Sequence, residues 1–195
     1  MDIRRLIERA REHPVRRPEN AGRSLAAGQQ PTALFITCAD SRIVPSAITG
    51  AEAGNLFELR TAGNVIPEYR EDAPTSEMAT IEFAVVGLRV PEVIVCGHSH
   101  CGAVSALHGA AIDHLPTMRG WLAKHHRLPA AATAADPALR EEGQRHLLAQ
   151  LRTLEAYPFV RERVEAGELR VHGWFYDIET GAVLTPAAAS TFQPL

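Results

Sequence analysis

The chain has 195 residues, with 20 Lys+Arg against 23 Asp+Glu, for a net charge of −3 with histidine neutral. That near balance lacks the basic excess of a nucleic-acid binder, and 46% hydrophobic against 22% charged residues is the composition of a globular chain, not a disordered one. No apolar run approaches the roughly 18 residues of a membrane span, and the start, MDIRRLIERAREH, has charge but no apolar leader stretch behind it. Three cysteines cannot all pair internally, which leaves metal binding, catalysis or burial as their uses and predicts a cytoplasmic domain.

Ile3, Leu6, Ile7 and Ala10 recur at helical spacing, so the chain should open on a short amphipathic helix with a basic outer face. Prolines and glycines loosen the stretch that follows. Residues 1–30 therefore read as a helical arm and 31–195 as the main domain. The uninterrupted apolar run Ala33–Cys38 predicts a strand covered on both faces, and Leu56–Arg60 predicts a second. From Thr75 to Leu88, Met78, Ile81, Val85 and Leu88 share one helical face, with Thr75 or Ser76 as cap and Glu77 in the first turn. Pro91 ends that helix, Glu92–Cys96 reads as a buried strand, and a helix of small residues should begin near Gly102.

Between 111 and 140, Pro116, Pro129 and Pro137 break the pattern into short helical pieces, and Ala130–Ala135 is a low-complexity run. Leu147, Leu148, Leu151 and Leu154 predict a firm helix, and Pro158–Gly167 another with a proline start and a glycine stop. Leu169–Ile178 alternates and carries Trp174 and Tyr176, as a strand does. Strands alternating with helices predict an α/β single domain, a mostly parallel central sheet flanked by helices, with an edge strand near the C-terminus. In such sheets functional groups gather at the carboxyl ends of the strands, near a topological switch.

Two strand ends carry the chemistry. One runs into Cys38-Ala39-Asp40-Ser41-Arg42, the other into Cys96-Gly97-His98-Ser99-His100-Cys101-Gly102. If these strands are neighbours, Cys38, His98 and Cys101 converge. Two thiolates and one imidazole make three zinc ligands, and three leave a fourth position open for water or substrate. Cys96, inside an apolar strand, is expected to be a small buried hydrophobe. His100 should point away from the ligands, and His108, His114, His125, His126 and His146 read as surface histidines.

The C-x-D-x-R and H-x-x-C-G segments resemble those of the β-class carbonic anhydrases. The similarity extends through Gly28-Gln29, Leu59–Asn64, Ser76–Val85 and Val171–Trp174. The resemblance implies a zinc enzyme interconverting carbon dioxide and bicarbonate, built as a homodimer or a dimer of dimers, with no nucleic-acid or membrane partner. By motif match, Cys38, His98 and Cys101 would bind one zinc per chain, and Asp40 and Arg42 would form the adjacent catalytic dyad. In the family's closed form, the aspartate, here Asp40, replaces water as fourth ligand. Gln29 matches a donor to a substrate oxygen, Phe57 and Phe83 match wall positions, and Gly102 falls in the same pocket. A regulatory bicarbonate pocket in some relatives would fall at Phe35, Arg60 and Tyr176, where phenylalanine has no N–H to donate.

The residue chemistry agrees. Two thiolates cancel the formal charge of the metal, so they acidify a bound water less than three neutral histidines would, and something else must position the hydroxide. Asp40 can accept its hydrogen bond, and Arg42 is a permanently charged fork suited to holding Asp40 ionised and aimed. Arg60 reads equally as a structural ion pair or an anion site. Two rival functions fit the same residues: hydrolysis of carbon disulfide or carbonyl sulfide on the same zinc, and a non-catalytic zinc or thiol regulatory protein.

Overall fold

Ala33–Cys38 forms β1 in the computed structural model, and all six of its residues are buried. The structure describes residues 2–16, 21–125, 136–187 and 191–195. Strand β1 lies between two parallel neighbours, β2 (Leu56–Thr61) and β3 (Glu92–His98). It is therefore covered on both faces and both edges, and a run without alternation is what that position selects. Strand β4 (Arg170–Tyr176) continues the parallel set beside β3, and β5 (Val183–Pro186) and β6 (Phe192–Pro194) follow antiparallel. The order is β2-β1-β3-β4-β5-β6, with β6 as the edge strand expected near the C-terminus. From β1 the chain moves to β2 on one side and returns to β3 on the other. That reversal puts a crevice between the carboxyl ends of β1 and β3, where open α/β sheets bind ligands.

Helices α1 (Ile3–Arg16) and α2 (Ala21–Ala26) belong to one compact unit, Met1–Gln30, and all other elements to a second, Pro31–Leu195. On α1, Ile3, Leu6 and Ile7 are 67%, 52% and 44% exposed, so its apolar stripe is not buried. The second unit holds α3 (Pro45–Thr49), α4 (Ser76–Glu82), α5 (Gly102–Leu107), α6 (Pro116–His125), α7 (Arg140–Glu155) and α8 (Pro158–Glu165). None of the described helices is long and apolar enough to cross a membrane. The Pro129 break, the Ala130–Ala135 run, His126 and the side chain of His125 lie outside the described residues.

The helix over Thr75–Leu88 starts as expected, with Thr75 Oγ1 accepting from the Met78 N–H at 3.3 Å. It then departs from the expectation. Phe83–Gly87 is a π turn, closed by the Leu88 N–H donating to the Phe83 carbonyl at 2.8 Å. The apolar face nonetheless keeps its expected positions: Met78, Ile81 and Val85 are buried and Leu88 rests on the larger core, whereas Phe83 and Val86 face outward.

Met78, Ile81, Val85, Leu147, Leu154 and Val160 pack against Leu34, Ile36, Val93 and Val95 to form the larger core. On the other face of the sheet Phe35, Ile94 and Cys96 cluster with Leu56, Trp174 and Tyr176. Helix α7 approaches the end of β3 closely because position 143 is glycine. A Cβ there would sit 2.8 Å from the Phe175 ring and 3.2 Å from the His98 carbonyl oxygen. That closeness seats the first turns of α7 beside the strand end that carries His98.

Candidate metal centre

Cys38 closes β1, His98 closes β3, and a three-residue turn brings Cys101 to the start of α5. The two sulfurs and an imidazole nitrogen lie within 4.8 Å of one another, and all three residues are buried. His98 Nδ1 donates to the Ser99 carbonyl at 2.8 Å, which assigns the lone pair to Nε2. Nε2 is buried without a hydrogen-bond partner among the described residues. An acceptor buried and unpaired costs about 1–3 kcal/mol, and here it faces two thiols. A cation between the three atoms removes that cost. One imidazole nitrogen fixed in tautomer by its other nitrogen, with two soft sulfurs, is a donor set that fits zinc and leaves a tetrahedral position open.

The backbone prepares both sulfurs for negative charge. The main chain at Asp40 favours charge on the Cys38 sulfur, and that at Ala103 and Val104 favours charge on Cys101. The Cys101 side chain beside it, and then the His98 ring, bring the Cys38 thiol down to about 4 against the effect of burial, and the Cys38 contact together with burial pushes Cys101 up. A cation bound here would take both sulfurs as thiolates and release their protons. Cys96 stands apart. Burial pushes its thiol up to about 12, and it is fully enclosed in the sheet.

Asp40 and Arg42 face each other in a bidentate pair. Arg42 Nε donates to Asp40 Oδ1 at 2.9 Å and NH2 to Oδ2 at 2.7 Å, and the Arg42 backbone N–H adds a third bond at 3.0 Å. The Arg42 guanidinium holds the Asp40 carboxyl well below the usual carboxylate range. The loop they occupy is fastened from β2. Arg60 donates to the carbonyls of Cys38 (2.9 Å), Asp40 (2.8 Å) and Ile43 (2.7 Å). Sequence reasoning offered an ion pair or an anion site for Arg60; its donors instead clamp main-chain oxygens.

The remaining expected positions are dispersed. Phe35 is fully buried, edge-on to Trp174 at 6.0 Å, and Tyr176 borders a 240 Å³ cavity shared with Arg42, Val44 and Ile48. Phe57 and Phe83 pack on one another with ring centres 5.9 Å apart, and Phe57 rests on the larger core. Gly102 opens α5 with free space over its Cα. Gln29 belongs to the first compact unit. His100 donates from Nε2 to Glu179 at 3.1 Å, and His114 is exposed.

His146 corrects the surface expectation. It is 1% exposed, and its Nε2 donates to the Gly63 carbonyl at 2.7 Å. Gln150 accepts from the Ile66 N–H at 2.7 Å, and Trp121 Nε1 donates to the Ala62 carbonyl at 3.2 Å. These three side chains grip the segment that brings Val65 into the apolar cluster around Cys38 and Cys101, with Ala103, Val104, Leu122 and Leu139. The signal was present: Gly143, Leu147, Gln150 and Leu154 recur at helical spacing, which places 146 and 150 on the core face of α7.

Gly63 itself has φ 74°, and a Cβ there would meet Ala103 Cβ at 2.6 Å. Gly63→Ala is expected to cost roughly 2–4 kcal/mol, from left-handed strain and overpacking together. The urea midpoint of the purified variant measures it, and an unchanged midpoint would mean that α5 yields freely.

Comparison with known proteins points the same way. Residues 33–183 match the family model described as carbonic anhydrase. A carbonic anhydrase of Pseudomonas aeruginosa is 44% identical over 169 residues, covering 83% of this chain and 76% of its own. Carbonic anhydrase 1 of Escherichia coli O157:H7 is 39% identical over 187 residues, covering 89% and 82%. Among solved structures, the β-carbonic anhydrase CcaA superposes with a TM-score of 0.84 at 33% identity, covering 99% of this chain and 92% of that one. One of two tetrameric β-carbonic anhydrases from Sordaria macrospora gives 0.70 at 26%, covering 97% and 94%. With that family match spanning the whole sheet through β4 and the Cys-His-Cys cluster at its switch point, this chain belongs to the β-class carbonic anhydrases.

Proposed function

We propose that the chain reversibly hydrates carbon dioxide to bicarbonate and a proton, using one zinc ion held by Cys38 Sγ, His98 Nε2 and Cys101 Sγ. The observation that carries the reading is the buried, unpartnered His98 Nε2 facing two sulfurs beside the Asp40–Arg42 pair. Zinc in such a site supplies an acidified water, with a pKa near 7 in the well-known three-histidine carbonic anhydrase site against 15.7 in bulk, and so a nucleophile at working pH. Asp40 accepts a hydrogen bond from the attacking oxygen and leaves a lone pair facing the carbon. Arg42 keeps that carboxylate ionised and aimed through two charge-assisted bonds.

Val65, Val104 and Leu139 supply the apolar lining that a small linear substrate needs. In the same reading Gln29 donates to a substrate oxygen, Gly102 lies in the pocket with open space over it, and Phe57 and Phe83 supply wall residues across a dimer interface. A regulatory bicarbonate at Phe35, Arg60 and Tyr176 gains little support, since Phe35 has no donor and Arg60 is engaged by three carbonyls.

Residues 1–30 act as an arm and 31–195 as the catalytic domain. The chain works as a homodimer or a dimer of dimers, because the apolar stripe of α1 needs a cover that a second copy supplies. The tetrameric Sordaria relatives support this. Three unpaired cysteines suit a reducing, cytoplasmic setting.

Stopped-flow hydration rates on zinc-counted protein, from about pH 6.5 to about 9, test the reading. The rate should rise with pH and vanish when a chelator removes the metal. A zinc-loaded chain that stays inactive throughout would transfer the reading to carbonyl sulfide or carbon disulfide.

A further inference from the structure

Beyond its two bonds to Asp40, Arg42 makes another contact: its NH2 donates to the His100 carbonyl at 3.0 Å. His100 sits between two candidate ligands, His98 and Cys101, in a left-handed conformation with φ 57°. A residue with a Cβ keeps that conformation only where its surroundings over-determine it. Two contacts do so here. The His100 N–H donates to the Ala138 carbonyl at 2.7 Å, and its ring Nε2 donates to Glu179 Oε1 at 3.1 Å.

Ala138 precedes α7 and Glu179 follows β4, where Ser99 Oγ also accepts the Ile178 N–H at 2.9 Å. Arg140, the first residue of α7, joins them. Its Nε donates to Asp177 Oδ2 at 2.6 Å, its NH1 to Asp136 Oδ2 at 3.2 Å, and its NH2 to Glu179 Oε2. Asp136 in turn accepts the Ala138 N–H at 2.9 Å, and Asp177 accepts the Glu179 N–H at 3.0 Å. One guanidinium therefore bridges both anchors of the His100 turn.

We propose that Arg140 is a positioning residue for the reaction, fixing His100 through Glu179 and the Asp136–Ala138 turn, and fixing Arg42, hence Asp40, through the His100 carbonyl. The inference rests on the reading of Asp40 and Arg42 as the orienting pair. Arg140 touches neither substrate nor metal ligand. The network runs inward from the surface: Glu179 is exposed and Arg140 partly exposed, so that ion pair adds little to stability, whereas Asp177 is buried and its pair with Arg140 also supports the fold. Loss of the Glu179 link alone should therefore disturb aim more than folding. Three nitrogens on three carboxylates also require the planar fork, which a lysine cannot reproduce.

The test measures kcat, KM and the rate of zinc loss to a chelator for wild type, Arg140→Ala, Arg140→Lys, Glu179→Ala, Arg42→Ala and Arg42→Ala/Glu179→Ala. We expect kcat to fall about tenfold in Arg140→Ala and about fivefold in Arg140→Lys and Glu179→Ala, with KM changed less than about twofold. Zinc should leave these three variants several-fold faster than wild type, and Glu179→Ala should do so at a melting temperature within a few degrees of it. In the Arg42→Ala background, Glu179→Ala should cost less than about twofold, because the link it acts through is gone. An undiminished kcat in Glu179→Ala, or the same loss with and without Arg42, overturns the proposal whatever Arg140→Ala does to folding. An inactive wild type would end the catalytic reading, and the zinc-loss rates alone would then uphold or overturn the anchoring of the turn.

Discussion

Cys101→Ser is expected to reduce bound zinc from one per chain to less than about a tenth and to bring carbon dioxide hydration down to background. The substitution is nearly isosteric, and the main chain at Ala103 and Val104 that faces the sulfur can equally face a hydroxyl oxygen. The fold should therefore survive. A serine hydroxyl keeps its proton near neutral pH and is a hard, weak ligand. With Cys101 gone, one thiolate and one imidazole remain, too few to close a tetrahedron around the ion. Thiol labelling gives a readout independent of catalysis. Zinc-loaded wild type should be unreactive, and chelation should make Cys38 and Cys101 reactive while Cys96, buried and pushed up to about 12, stays silent. A Cys101→Ser chain that retains zinc and rate would remove the three-ligand assignment.

The strands that build the centre were legible because burial on both faces writes itself as an unbroken apolar run. Ala33–Cys38 is such a run, and β3 was read correctly to Cys96, two residues short of its end at His98. The apolar run stops at Cys96 because Gly97 follows it, although the backbone through His98 still pairs with Tyr176 in β4. The meeting of Cys38, His98 and Cys101 followed from a single assumption, that the two strands are neighbours, and the register of β1 with β3 supplies it. What was not legible depends on partners without a period. Nothing in Leu59-Arg60-Thr61 announces that the arginine will clamp the carbonyls of Cys38, Asp40 and Ile43, because a main-chain acceptor carries no residue identity. The π turn at Phe83–Gly87 was hidden for a related reason: a helical pattern fixes which face is apolar but not where one extra residue is inserted. His146 was missed by a default, since histidine alone suggests a surface, whereas its spacing from Gly143 and Gln150 put it inside.

Asp40→Asn should keep one zinc per chain and lose about a hundredfold or more in kcat, the scale expected when a reacting group is misaimed by an ångström or so. The carboxylate presents two oxygens to two Arg42 donors, at 2.9 and 2.7 Å. An asparagine presents one oxygen and one NH2, so one Arg42 donor is left facing another donor, and the residue can no longer accept from both the nucleophile and the guanidinium. The pH dependence separates this from simple protonation. Arg42 holds the Asp40 carboxyl below its ordinary range, so the pair's contribution to stability is complete above the unfolded carboxylate pKa and is lost only as pH falls through the lower folded value. Asp40 is thus ionised across any neutral assay while paired with Arg42, and an acid limb between about pH 6.5 and about 8 cannot be its protonation. The variant should accordingly lower the rate plateau at every pH, rather than reproduce the wild-type plateau with a displaced limb. Wild-type and variant unfolding free energies should differ near neutrality and converge in strong acid, where Asp40 is protonated. Near-normal turnover by a zinc-loaded Asp40→Asn chain would mean that the nucleophile is aimed by something other than this carboxylate.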